Sequence, residues 1–230
     1  MTPDLPRRIP GAASPLPTPL VPLYAHPASD PHAWDPDALA GATVVVNIHN
    51  GPGGVADHDY REATARLADA QIPMLGYVDL GCSARAAADI LADVRRWSAY
   101  PVAGVFLDRA PTTPFGIGPV ALAVRVARRA GLLVTVLNPG APPDPVYREL
   151  EVPICAFEGS WTEYRAWAGT GALPGDGHLV HGVPAAELDT ARLLMGWRGA
   201  GFGAATDREM PDPWGGLPSD ANRLLAGAGR

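Results

Sequence analysis

Two carboxylates that each close a short apolar run are the residues best suited to chemistry in this chain. Asp108 ends the run 103–107, and Glu158 ends the run 152–157. Such runs are typical of buried parallel strands, whose carboxyl ends lie at the mouth of an α/β sheet or barrel. Two carboxylates across a cleft can hydrolyse a glycosidic bond, because one ionised and one protonated group are needed.

Each acid alone also has a structural interpretation, since it could cap a helix or pair with a cation such as Arg109. The functional interpretation depends on the two acids together. They follow the fourth and the sixth apolar runs, and strands of the same parity contribute side chains to the same layer of a barrel. We therefore expect Asp108 and Glu158 to face each other at similar height.

Polar and aromatic side chains near the ends of the other runs are the candidates for substrate binding. They are Tyr24, His26, Asn47, Tyr77, Asp79, Arg109, Asn138, Trp161, His181 and Asp207. The indoles of Trp34, Trp161 and Trp214 could stack on sugar faces or fill the gap between the loops and the barrel rim. No metal is predicted, because His26, His49 and His181 come from separate runs and the first run lacks a His-x-His pair.

The composition excludes several reaction classes. All 18 basic residues are arginine, and without lysine there is no Schiff-base aldolase, no pyridoxal enzyme and no GxxxxGK phosphate loop. We predict no cofactor. The net charge of −6 argues against a nucleic-acid partner.

The order of apolar runs predicts the fold. Eight runs alternate with turns and helical stretches, at residues 21–26, 43–48, 73–78, 103–109, 132–137, 152–157, 178–183 and 201–206. This pattern favours an α/β fold of the (β/α)8 TIM barrel type in a single domain. An open doubly wound sheet is the alternative, but no GxGxxG follows the first run. Ser83 and Ser160 are expected to begin helices as N-caps.

The beginning of the chain differs from the remainder in composition. Residues 1–19 are rich in Pro, Ala and Arg and predict a disordered N-terminal arm, followed by the barrel domain at 20–230. The arm contains no apolar signal-peptide core, and no run is long enough to span a membrane. We therefore expect a cytoplasmic protein, or a secreted one if a leader is missing. The oligomeric state stays open.

Several motifs resemble the spherulation-specific family 4 (spherulin 4-like) proteins. The stretches VPLYAHP, VVVNIHNGPGG, DYREATARLADAQIPMLGYV, YPVAGVFLDR, ICAFEGSW and DPWGGLP occur in the order of that family, from Val21 to Pro218. The resemblance implies a (β/α)8 barrel. It also implies kinship with glycoside hydrolases that cleave α-1,4-linked N-acetylgalactosamine in fungal galactosaminogalactan. The acids of the family fall on Asp108 and Glu158, but its usual DE pair reads Asp108-Arg109 here.

The resulting hypothesis is a glycoside hydrolase that acts on an α-linked amino-sugar glycan, with carbohydrate as its partner and no membrane partner. Asp108 would be the nucleophile or charge stabiliser, and Glu158 the general acid/base. The first alternative is a non-catalytic barrel that binds a carbohydrate or small metabolite, because Arg109 stands where an acid is usual. A lyase or isomerase of a small acid is the second alternative, since arginines can hold a carboxylate.

Overall fold

Eight parallel strands form the centre of the molecule in the computed structural model, which describes residues 16–221. Their hydrogen-bonded order is β5-β4-β3-β2-β1-β8-β7-β6, and an isolated parallel bridge between Leu137 and Ile154 joins β5 towards β6. The ring of strands is therefore nearly closed. The strands are β1 Thr18–Leu23, β2 Thr43–Val46, β3 Met74–Asp79, β4 Gly104–Asp108, β5 Val134–Asn138, β6 Cys155–Ser160, β7 Gly177–His181 and β8 Phe202–Ala205.

Helical segments connect the strands and cover the outside of this ring. The α-helices are α1 Pro36–Leu39, α2 His58–Asp69, α3 Ala87–Arg96, α4 Ile117–Arg129, α5 Trp161–Ala166 and α6 Leu188–Trp197. Short 3-10 turns occupy Pro31–Trp34, Gly81–Ser83, Trp97–Ala99, Pro114–Gly116, Pro145–Leu150 and Ala185–Glu187. The predicted (β/α)8 barrel is confirmed.

The barrel is filled by side chains that alternate inward along the strands. They are Leu20, Val45, Leu75, Tyr77, Phe106, Val136, Cys155 and Leu179, with Trp214 from the segment after β8. Phe106 lies two residues before Asp108 on β4, and Val136 lies two residues before Asn138 on β5. Because strand residues two apart share a face, Asp108 and Asn138 continue the inward-facing rows toward the mouth.

Two strands are shifted by three residues from the sequence-based expectation, while the other strands differ from it by at most two residues at either end. The first strand runs from Thr18 rather than Val21, and pairs with Phe202 of β8. Prolines 19 and 22 lie within it, and proline normally argues against a strand because it cannot donate to the ladder. The sixth strand runs from Cys155 to Ser160 rather than from Val152 to Phe157. Its polar end, 158–160, pairs with β7.

The N-cap expectation is confirmed for one serine and wrong for the other. Ser160 and Glu163 form a capping box at α5, in which each side chain accepts the backbone N–H of the other residue. Helix α3 begins at Ala87 instead, four residues after Ser83. Cys82 and Ser83 adopt left-handed φ angles of 49° and 77°, which place them in a turn. Of the predicted arm at 1–19, residues 1–15 lie outside the described part.

Candidate active site

Asp108 and Glu158 meet at one side chain, the amide of Asn138. The Asn138 Nδ2 atom donates to Asp108 Oδ1 at 2.7 Å and to Glu158 Oε2 at 2.5 Å. The two accepting oxygens therefore lie no more than about 5.2 Å apart, the length of the two hydrogen bonds end to end. The structure brings the two predicted acids together at the mouth of the barrel.

A register shift in β6 explains why Glu158 reaches this position. Cys155 pairs with Gly177 and Phe157 with His178, so one extra residue is accommodated between them. Cys155 packs inside the barrel, whereas Phe157 packs in the outer cluster with Tyr164. The irregularity thus lets Cys155 and Glu158, three residues apart, lie on the inner side.

Each acid has a second partner of its own. The Tyr77 hydroxyl, from the neighbouring strand β3, donates to Asp108 Oδ2 at 2.8 Å. The indole N–H of Trp214 donates to Glu158 Oε1 at 3.1 Å. The backbone carbonyl of Trp214 accepts the N–H of Tyr24, whose ring packs edge-on against Tyr77 at 5.6 Å. Three aromatic side chains, Tyr24, Tyr77 and Trp214, therefore lie beside the pair of acids.

Burial and charge together determine the protonation of the pair. Burial, reinforced by the negative charge of Glu158, raises the pKa of Asp108 to about 6, while hydrogen bonds from Tyr77 and Asn138 act in the opposite direction. Asp108 therefore holds a proton below about pH 6.

The hydrogen-bond partners favour Asp108 as the residue that carries this proton. Both oxygens of Glu158 face N–H groups, on Trp214 and Asn138, which cannot accept a proton. Asp108 Oδ2 instead faces the hydroxyl of Tyr77, which can accept as well as donate. Protonated Asp108 therefore keeps a hydrogen bond that protonated Glu158 would lack.

Arg109 does not neutralise Asp108. Its Nη1 atom donates to Asp79 Oδ2 at 3.1 Å, and its side chain is 56% exposed. The φ angle of 51° at Arg109 turns its side chain away from the row that Asp108 continues. Asp79 also accepts the N–H of Gly81 at 2.7 Å. The cation is therefore engaged by a different carboxylate, and Asp108 stays free to face Glu158.

Four of the other predicted binding residues have their recorded contacts away from the acids. His26 accepts the N–H of Ala28 and packs on Tyr60. Asn47 accepts the N–H of Gly51. Burial lowers the pKa of His181, while Glu163 and Glu209 act on it in the opposite direction. Asp207 accepts the N–H of Ser219 at 3.0 Å.

The side chain of Trp161 is buried against the outside of the barrel and offers no exposed face for a sugar to stack on. It is buried in the outer cluster with Phe157 and Tyr164, and its indole N–H donates to Glu187 Oε2 at 2.9 Å. This packing supports the interpretation that it fills space between α5 and its neighbours. Trp214 was expected to stack on a sugar or fill a gap, whereas its indole N–H donates to Glu158. Its signal in the sequence is its place in the DPWGGLP motif.

The three histidines considered as a metal site do not come together in residues 16–221. The group found there with suitable ligand spacing is His26, Asp57 and Asp59, whose ligand atoms lie within 4.8 Å of one another. Asp57 already accepts the N–H groups of Asp59 and Tyr60 as the N-cap of α2. Helix capping thus accounts for this cluster.

An apolar cavity of the described residues is lined by neither acid. Its volume is about 670 Å³, and it opens between α6 and the outer side of β1 and β8. Val21, Met195 and Ala205 contribute to its apolar lining. Because neither Asp108 nor Glu158 lines it, the geometry of the acids rather than cavity size identifies the candidate site.

Comparison with known proteins supplies the family. The model described as "Spherulation-specific family 4" matches residues 19–225. The chain belongs to this family. The resemblance seen in the sequence motifs is therefore confirmed, and the family match spans the strands that hold Asp108, Asn138 and Glu158.

Two relatives of this spherulin 4-type chain are informative. Spherulin-4 of Physarum polycephalum is 32% identical over 161 residues, which are 64% of this chain and 48% of that protein, so the chain spans about half the length of this curated relative. The crystal structure of Aspergillus clavatus Sph3 in complex with GalNAc matches with a TM-score of 0.80 at 24% identity, covering 92% of this chain and 97% of that one. This structural likeness supports the barrel fold.

The helices of this family member are short. Within residues 16–221, none of them combines the length and the apolar character needed to cross a bilayer.

Proposed function

We propose that the protein is a glycoside hydrolase that cleaves an α-linked amino-sugar glycan. The observation that carries the proposal is the amide of Asn138 shared between Asp108 and Glu158. Both acids, at the mouth of the barrel, lie at hydrogen-bonding distance from the amide nitrogen of Asn138. Glycoside hydrolysis requires this kind of pair, because one group protonates the leaving oxygen while the other attacks or stabilises the anomeric carbon.

The separation of the acids supports a retaining mechanism. Carboxyl groups stand about 5–5.5 Å apart in retaining hydrolases and about 6.5–9.5 Å apart in inverting ones, which need room for a water molecule. One oxygen of Asp108 and one of Glu158 lie within about 5.2 Å of each other, which favours the shorter class. A covalent glycosyl-enzyme intermediate then forms on one acid, and water releases it with help from the other.

The hydrogen bonds support a division of roles that differs from the sequence-based assignment. That assignment made Asp108 the nucleophile and Glu158 the acid/base. Both oxygens of Glu158 accept hydrogen bonds from N–H donors, whereas Asp108 can keep a proton against the Tyr77 hydroxyl. We assign the acid/base role to Asp108 and the nucleophilic role to Glu158.

The sugar is proposed from two sources. Aspergillus clavatus Sph3, which shares the barrel, was crystallised in complex with GalNAc. The family resemblance implies α-1,4-linked N-acetylgalactosamine in galactosaminogalactan. The aromatic ring of Tyr24, which is half-buried and packs beside Tyr77, offers apolar surface for the C–H face of a pyranose ring.

A glycan panel tests this proposal. Purified protein is incubated with galactosaminogalactan, with α-1,4-linked GalNAc oligosaccharides and with β-linked chitin oligosaccharides, and new reducing ends are measured. We expect cleavage of the α-linked amino sugars and none of chitin. Binding of the α-linked oligosaccharides without cleavage would instead support the non-catalytic carbohydrate-binding barrel.

The pH dependence of cleavage is the next expected result. A retaining step requires one proton on the pair, and the pKa of Asp108 is raised to about 6. As pH rises through about 6 this proton is lost, so kcat/KM should fall about tenfold for each further pH unit. We expect the optimum on the acidic side of 6. A rate that stays constant from pH 5 to pH 8 would contradict this protonation scheme.

A further inference from the structure

The amide of Asn138 is oriented by groups outside the acid pair. Its Oδ1 atom accepts the N–H of Gly140 at 3.1 Å, so the nitrogen must face the acids. Gly140 also accepts the backbone N–H of Glu158 at 3.0 Å through its carbonyl oxygen. One turn after β5 therefore fixes the side chain of Asn138 and the backbone of Glu158 together.

From this geometry we propose that Asn138 is a positioning residue that holds Asp108 and Glu158 at a fixed spacing. The proposal rests on the proposed hydrolase function and adds a role that the sequence did not predict, since Asn138 was expected to bind substrate. Both hydrogens of its amide nitrogen point to carboxylate oxygens. Neither hydrogen remains to contact a sugar.

The remaining partners of the acids cannot replace this bridge. Tyr77 reaches only Asp108, and Trp214 reaches only Glu158. Within residues 16–221, Asn138 is the side chain whose hydrogen bonds join the two. Each of its bonds is charge-assisted when the accepting carboxylate is ionised. The amide therefore stabilises the doubly ionised pair most, because both bonds are then made to anions.

Other titratable or charged groups also surround the pair and must be considered in any pH experiment. They are Tyr24 beyond the end of β1, Tyr77 and Asp79 on β3, Arg109 after β4, Cys155 on β6 and Asp212 in the segment after β8. None of these groups is altered by a substitution at Asn138, so a change in the pH profile of such a variant reports the bridge.

The test compares Asn138→Ala with Thr135→Val in the same strand. Thr135 is buried on the opposite face of β5, and its hydroxyl has no partner in the described residues. For Asn138→Ala we expect kcat to fall about 10²-fold, because the acids lose their fixed spacing. Without the bridge the doubly ionised pair loses most stabilisation, so the basic limb of the kcat/KM profile should move up by about one pH unit. Thr135→Val should keep the wild-type rate and profile.

A direct titration separates this proposal from the proposed function. In carboxyl ¹³C NMR of the wild-type protein, Asp108 should titrate at about pH 6. This pKa should rise by about one unit in Asn138→Ala, because the amide no longer stabilises the Asp108 carboxylate. In Asn138→Ser, which retains a single donor, it should rise less. These outcomes are expected even if no glycan in the panel is cleaved.

Three results would overturn the positioning role. The first is full activity of Asn138→Ala. The second is loss of activity with an unmoved pH profile, which indicates a merely structural effect. The third is an unchanged pKa of Asp108 in Asn138→Ala. If Asn138→Ala does not fold, the pKa of Asp108 in Asn138→Ser decides the question.

Discussion

Glu158→Gln is expected to lower kcat about 10³-fold or more, because it removes the proposed nucleophile. In the wild-type protein this carboxylate is oriented by hydrogen bonds from Trp214 and Asn138. Asp108→Asn should lose a similar factor on natural glycans, since the leaving oxygen then departs without a proton. The measurement is steady-state release of reducing ends at pH 5. Glu149→Gln, an exposed acid of the turn Pro145–Leu150, is the matched control and should keep the wild-type rate.

An activated substrate separates the roles of the two acids. An aryl α-glycoside with an acidic phenol leaves without protonation, so the variant that lacks the general acid should regain most of its glycosylation rate. We expect this recovery in Asp108→Asn and not in Glu158→Gln. Recovery in Glu158→Gln alone would reverse the assignment and return it to the one made from the sequence. Wild-type rates in both variants would show that neither Asp108 nor Glu158 is catalytic.

Gly104→Ala is expected to destabilise the barrel by about 3 kcal/mol or more. A Cβ atom at Gly104 would lie 1.7 Å from the carbonyl oxygen of Val134, its register partner in β5. A backbone atom of a neighbouring strand cannot move aside as a flexible side chain can. The strands that carry Asp108 and Asn138 would therefore be forced apart at their base.

Chemical denaturation followed by tryptophan fluorescence measures this effect, with Gly54→Ala as the control. Among the described residues, no heavy atom outside Gly54 and its two chain neighbours lies within 4 Å of a Cβ built at Gly54. Its substitution should change the free energy of unfolding by about 0.5 kcal/mol or less. Equal stability of the two variants would show that β4 and β5 do not pack as closely as described.

The fold could be predicted from the sequence because its signals are local. Each short apolar run ends in a turn, and the alternation of strand and helix is readable without knowing which strands pair. β1 was misplaced because Pro19 and Pro22 obscure a strand. The shift in β6 stayed hidden because it depends on pairing with β7, which no local pattern encodes.

The candidate site was predictable only in part. Asp108 and Glu158 could be selected because each ends an apolar run, and their shared layer follows from strand parity. The bridge through Asn138 could not, since it depends on side-chain orientation fixed by Gly140. Arg109 looked like a partner of Asp108 because they are adjacent in sequence. Its left-handed backbone directs it to Asp79 instead.

The contact between Trp214 and Glu158 could not be predicted from the sequence, because the two residues are far apart along the chain. The two residues are 56 positions apart, and the indole reaches the acid through the segment that follows β8. No periodic pattern marks such a contact. Trp161 presents the opposite case, because its place just after β6 suggested the mouth while its side chain packs into the wall.

The stereochemistry of the first product tests the central claim most directly. Proton NMR during the first minutes of cleavage of an α-1,4-linked GalNAc oligosaccharide shows which anomer forms before mutarotation. Two acids bridged by Asn138 at no more than about 5.2 Å predict the α-anomer, by retention. The β-anomer as first product, or no cleavage while the oligosaccharide binds, would contradict the account.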